Sequence, residues 1–199
     1  MGSKELRGRD IWQDISGEKA GIAEHNFFQV FSDHFANTNY KIRAKPGEFK
    51  EIYVNVELDD DVLASIYTPD KPIKKHGITP DYAIDNTSTH KTLYVEVKRQ
   101  DGWVEGKPRS AGRGNAHERS CKFFTPGLQK ILRREGNLGP DVLPFWTVFQ
   151  GDIARDPCRV REITCWYGEN SAHFFMWRDS TCSNPPVDHF EEQLRHLLD

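Results

Sequence analysis

The chain has 199 residues, with 27 Lys and Arg against 30 Asp and Glu, a formal net charge of −3, and 5 Trp and 12 Phe. That length suits one domain, residues 1–199, with a sizeable core, and the aromatic content excludes a disordered chain. No apolar run approaches the roughly 18 residues of a membrane span, and the charged start Met1–Arg7 has no apolar signal-type segment, so a cytoplasmic location is expected.

Cys121, Cys158, Cys165 and Cys182 form no CxxC pair, so reduced thiols are expected rather than zinc ligands or disulfides. Residues 16–36 read as an amphipathic helix with Ser16 as N-cap and Ala20, Ala23, Phe27, Phe31 and Phe35 on one stripe. Glu24, at the edge of that stripe, is read as a surface charge, with an outer-shell carboxylate near a metal as the alternative. Weak alternation over 40–58, with Ile52, Val54 and Val56 on one face, predicts a strand. Asp59, Asp60 and Asp61 precede an apolar run and read as a helix cap and first-turn charges, not as metal ligands.

A Pro- and Lys-rich loop leads to two extended runs, Tyr82–Asp85 and Thr92–Lys98, separated by the polar turn 86–91. Beyond residue 119, a helix interrupted or restarted at Pro126-Gly127 is expected. Leu143–Phe149 predicts a buried strand. Residues 160–167 and 172–177 read as two further strands paired across 168–171, and 189–198 as a closing helix with Phe190, Leu194 and Leu197 inward. This order of elements predicts a single α/β domain on a mixed sheet.

The chemistry concentrates between Pro80 and Arg119. Residues two apart on a strand share a face, so Glu96 and Lys98 project together while Val95 and Val97 face the other way. A hairpin return brings Asp81 beside Glu96. Two converging carboxylates are costly unless a cation neutralises them, and Mg²⁺ suits such oxygen ligands while keeping room for water and a phosphate oxygen. Lys98 then orients or activates water and balances developing charge. The following segment is basic: residues 98–134 carry ten Lys and Arg against three Asp and Glu, so the acidic net charge hides a local positive field suited to a phosphate backbone. Within it, Asn115 has an amide suited to adenine, and Arg113 and Arg119 have forks suited to guanine. Asn115 is equally suited to capping a helix, and His117 either touches phosphate or packs.

Pro80-Asp81, Glu96-Val97-Lys98 and Gly114-Asn115-Ala116-His117-Glu118-Arg119 resemble the EcoRI-like type II restriction endonucleases of the PD-(D/E)xK class. The strings Lys98–Lys107, Ser110–Asn115, Arg119–Lys122, Phe124–Gly127, Leu143–Trp146 and Arg159–Thr164 resemble the MunI type, although Pro108-Arg109 departs from its loop. The resemblance implies a restriction-endonuclease-like fold, a central mixed β-sheet flanked by helices. It implies a homodimer that cuts palindromic double-stranded DNA with Mg²⁺ in a prokaryotic cytoplasm, and a cognate DNA methyltransferase acting on the same site without a stable complex. Asp81 and Glu96 would be metal ligands and Lys98 the catalytic lysine. Arg113, Gly114, Asn115, Ala116, His117 and Arg119 would form the DNA-binding segment: Asn115 and Arg119 on an inner AATT, Arg113 on the outer pair, giving C^AATTG with 5′-phosphates and a 5′-AATT overhang. The dimer surface is expected within 105–135. Two other readings stand beside this one: a non-cleaving DNA-binding dimer, against which the intact triad argues, and a structure-specific repair or junction nuclease, which leaves the Arg113, Asn115 and Arg119 cluster without a purpose.

Overall fold

The computed structural model describes residues 26–101, 117–179 and 181–199. A five-stranded sheet with strand order β1-β2-β3-β4-β5 is its frame. The strands are β1 (Tyr40–Ala44), β2 (Tyr82–Asn86), β3 (Lys91–Arg99), β4 (Phe145–Gln150) and β5 (Phe174–Trp177). The first three run antiparallel in sequence, whereas β3, β4 and β5 are parallel neighbours. The result is the mixed sheet flanked by helices that the element order predicts.

Each face of the sheet carries its own core, because strand alternation divides the apolar side chains between them. On one face, Tyr82, Ile84, Val95, Val97, Trp146 and Val148 meet helix α1 (residues 26–34) and the C-terminal helix α5 (Asn184–Gln193). Trp146 is the hub: its ring centroid lies 5.6 Å from that of Phe27 and 5.8 Å from that of Phe31. On the other face, Ala83, Tyr94, Phe145 and Phe149 meet α3 (Pro126–Glu135) and α4 (Pro157–Tyr167). The Phe stripe of α1 is as expected, while Ser16, Ala20, Ala23 and Glu24 lie outside the described residues.

Several elements differ from expectation. The strand over 40–58 stops at Ala44, and Val54 and Val56 are exposed rather than aligned on a buried face. Instead, Phe49 turns in to pack edge-on against Tyr94, and the loop is tied by Ile78 N–H donating to the Phe49 carbonyl at 3.0 Å. That close approach requires glycine at 77, where a Cβ would stand 1.9 Å from the Phe49 oxygen. Helix α2 (Asp60–Ser65) follows, with Asp59 at the N-cap position and Asp60 and Asp61 in its first turn.

Residues 160–167 belong to helix α4, not to a strand, and β5 pairs in parallel with β4 rather than forming a hairpin with that segment. Asp156-Pro157 is the decisive signal. The Asp156 side chain accepts from Cys158 N–H at 2.8 Å and Arg159 N–H at 3.3 Å, and Pro157 sits in the first turn, where its missing N–H costs nothing. Ile163 and Tyr167, four apart, then share the buried face. The restart at Pro126 is as expected: a 3-10 helix, Glu118–Phe124, precedes α3, which takes Pro126 in its first turn. The closing helix begins earlier than residue 189, and Leu198 is fully buried while Leu197 is half-buried. No described helix is long and apolar enough to cross a membrane. All four cysteines are free thiols.

Asp156 is itself fully buried at the α4 N-terminus. Asp156→Ala is expected to destabilise the protein by about 1–2 kcal/mol, the cost of a lost cap, and Asp156→Asn by clearly less. Equilibrium denaturant unfolding of both variants checks this; equal losses would show that the cap bonds contribute nothing.

Candidate active site

The β2–β3 register builds the site. Tyr82 pairs with Val95, so the next step outward sets Asp81 opposite Glu96. Tyr94, Glu96 and Lys98 share the face occupied by Ala83, while Val95 and Val97 enter the opposite core, as the period of two requires. Asp81 and Glu96 are both buried, at 6% and 3% exposure. The Val97 N–H donates to Asp81 Oδ2 at 2.8 Å.

Lys98 Nζ stands among three oxygens: Glu96 Oε2 at 2.6 Å, Asp81 Oδ2 at 3.3 Å and the Val97 carbonyl at 3.4 Å. Two more lysines border the carboxylates. Lys45 Nζ lies 2.6 Å from Asp81 Oδ1, and Lys122 Nζ lies 4.0 Å from Glu96 Oε1. Electrostatics separate the two acids. Burial pushes the Glu96 carboxyl well above its ordinary range; Lys98 pulls against this, and the neighbouring Asp81 adds to it. Burial also opposes the charge on Asp81, but the Glu96 carboxyl, Lys98 and Lys45 together outweigh it and hold Asp81 below the usual carboxylate range. Burial disfavours the Lys98 ammonium, yet Glu96 and Asp81 raise its pKa and keep it charged.

The donor set fits a hard divalent cation. Two buried carboxylates lie together beside the Lys98 ammonium, and such a pair calls for positive charge. No group of three or more His, Cys, Asp or Glu that could hold a metal exists among the described residues. Mg²⁺ asks for no more than one or two carboxylates and otherwise keeps waters and substrate phosphate.

The DNA-reading candidates divide. Arg113, Gly114, Asn115 and Ala116 lie outside the described residues. Arg119 is exposed in the first turn of the 3-10 helix that also carries Lys122. His117 packs: it is 1% exposed, its ring stacks on Trp166 with centroids 5.4 Å apart and planes 5° apart, and Nε2 lies 3.3 Å from Glu162 Oε2. Of the two readings of that residue, this geometry favours the packing one.

Lys45 and Lys122 escaped the sequence reading. Lys45 becomes visible only through the β1–β2 register, since Ala44 pairs with Tyr82 and places Lys45 opposite Asp81. Lys122 had a signal: it follows Arg119 by three residues, one turn along a 3-10 helix.

Comparison with known proteins identifies the family. Residues 1–199 match the family model described as type II restriction enzyme MunI. The chain is 52% identical over 202 residues to the type II restriction enzyme MunI of Mycoplasma sp, covering 100% of both proteins. It also matches the crystal structure of MunI restriction endonuclease in complex with cognate DNA, with a TM-score of 0.80 and 51% identity over 94% of this chain and 97% of that one. The chain therefore belongs to the MunI family and is a type II restriction endonuclease.

Proposed function

We propose that the protein is a single-domain, cytoplasmic homodimer that hydrolyses both strands of the palindrome C^AATTG with Mg²⁺, leaving 5′-phosphates and a 5′-AATT overhang. The observation that carries the chemistry is the convergence of Asp81, Glu96 and Lys98 at one buried point. Duplex DNA as substrate draws support from the relative solved in complex with cognate DNA. The basic excess over 98–134 supplies the attraction to the phosphate backbone. A cognate methyltransferase acting on the same sequence completes the reading, without a stable complex between the two enzymes.

Asp81 and Glu96 are the residues that would hold Mg²⁺, whose chemistry there is to polarise the scissile phosphate and lower the pKa of water. The Val97 N–H fixes Asp81, and the opposite strand position fixes Glu96, so neither carboxylate has to be ordered during the reaction. Lys98 is held as an ammonium by the two acids, so it serves as a hydrogen-bond donor that orients water and offsets charge growing on the phosphate oxygens. Hydrolysis adds water to phosphorus and releases the 3′-hydroxyl, leaving phosphate on the 5′ side. Arg119 and Asn115 read the inner AATT, and Arg113 the outer C·G pair. Two-fold symmetry places one such site on each strand of the palindrome.

Plasmid DNA incubated with the protein and Mg²⁺ is expected to yield discrete fragments whose ends map to CAATTG. Bands at another hexamer would reject the specificity and keep the chemistry, while a smear would reject sequence recognition itself. Asp81→Ala should abolish cleavage and retain specific binding in a gel-shift assay; normal cutting by this variant would remove Asp81 from the machinery. Arg113→Ala should relax discrimination at the outer pair by about 1–3 kcal/mol, the worth of a bidentate guanine contact, as read from the ratio of kcat/KM on CAATTG and on sites altered only there.

A further inference from the structure

The two carboxylates of the active site meet more positive charge than the reaction described above uses. Lys98 spans both of them, and its side chain is only 18% exposed among fixed partners. Lys45 contacts Asp81 from the solvent side, with 51% of its side chain exposed.

The two oxygens of Asp81 are not equivalent. Oδ2 already accepts from the Val97 N–H at 2.8 Å and from Lys98 at 3.3 Å. Oδ1 is the oxygen left to face an incoming cation, and the Lys45 ammonium sits on it at 2.6 Å. The backbone delivers that contact. Lys45 stands one step beyond the pair Ala44–Tyr82, and its own N–H donates to the Asp81 carbonyl at 2.8 Å. Its φ is 47°, in the left-handed region that side chains with a Cβ disfavour and glycine accepts freely. A turn alone would be better served by glycine there, so what lysine adds at this position is its ammonium.

We propose that Lys45 is the exchangeable counter-ion of the metal site, holding Asp81 Oδ1 until a divalent cation takes that oxygen. Metal binding then requires the Lys45 ammonium to leave. Lys98 cannot serve this role, because it is enclosed and tied to Glu96, Asp81 and the Val97 carbonyl at once. The exchange adds one positive charge at the site: a monovalent ammonium departs as a divalent ion arrives, and the buried acid is never left without a positive neighbour. Lys45 thereby lowers the affinity of the DNA-free enzyme for metal. Once displaced, its exposed ammonium remains at the mouth of the site, where a DNA phosphate has to approach. DNA and metal are then coupled: a phosphate that draws Lys45 away makes Asp81 easier for metal to take.

This inference rests on Asp81 and Glu96 holding Mg²⁺, and the test separates the two claims. Thermal unfolding of the full-length protein without DNA is followed against Mg²⁺ concentration for the wild type, Lys45→Gly, Lys45→Gln, Lys45→Arg and Asp81→Ala. The rise of Tm with concentration reports metal affinity without any cleavage. Lys45→Gly and Lys45→Gln should bind Mg²⁺ about two- to fivefold more tightly, the range set by a half-exposed ion pair, and Lys45→Arg should bind close to the wild type. A merely structural lysine would alter Tm in metal-free buffer and leave the metal affinity alone. Lys45→Gly relieves the backbone, so it also separates fold from charge; should it fail to fold, Lys45→Gln carries the comparison. Unchanged or weaker Mg²⁺ affinity in the neutral variants overturns the counter-ion role. If Mg²⁺ does not shift the wild type, or shifts Asp81→Ala equally, the metal assignment of Asp81 falls and the inference falls with it.

Discussion

The hydrogen bond from the Val97 N–H to Asp81 Oδ2 is the contact on which the candidate active site depends. The β2–β3 ladder ends at the Tyr82–Val95 pair, while β3 continues to Arg99. Past that point the N–H groups on the β2 side of β3 lose their strand partner inside a buried region. Leaving one unpaired would cost about 1–3 kcal/mol. The Asp81 side chain takes the place of the missing carbonyl. A backbone requirement thus fixes the position of a carboxylate, and the carboxylate is held beside Glu96 without any side-chain freedom being spent on function.

That arrangement stands because the sheet is clamped on both faces. Val95 and Val97 are locked into the core around Trp146, and the same alternation forces Glu96 and Lys98 outward on the other side. A slip of one residue along β3 would turn Glu96 and Lys98 into the apolar core around Trp146 and the valines toward Asp81, so register and chemistry are protected by a single packing constraint. Parallel pairing with β4 adds to it by placing Thr147 opposite Glu96 and Phe149 opposite Lys98. Burial in this enclosure is the main cause that pushes the Glu96 carboxyl above its ordinary range.

Asp81, Glu96 and Lys98 were legible because everything that gathers them is local: a period of two along one strand and one hairpin. Elements defined by distant partners were not legible. Residues 160–167 hold apolar side chains at spacings compatible with strand or helix, and only the cap formed by Asp156 and Pro157 resolves them; it stands just upstream of the apolar run. Val54 and Val56 alternate as a strand would, but Phe49 takes the buried position beneath Tyr94 and leaves them in solvent. Lys45 is silent in sequence because its meaning comes from the β1–β2 register. Burial of His117 depends on Trp166 and Glu162, which lie on a helix that was read as a strand.

The described residues on either side of 102–116 are anchored. The segment 102–116 is bounded on one side by the end of β3, where Gln100 N–H donates to the Gln150 carbonyl at 3.2 Å and Arg99 Nε to Asp101 at 2.9 Å. On the other side it is bounded by His117, pinned between α4 and the start of the 3-10 helix. Within that one helix Arg119 faces solvent and Lys122 approaches Glu96. Any displacement of Arg119 is therefore passed toward Glu96 through an element only seven residues long. A longer or looser connection would let Arg119 move without consequence for Glu96. The position of His117 is what denies that freedom, since the helix cannot swing at its N-cap while the imidazole remains stacked on Trp166.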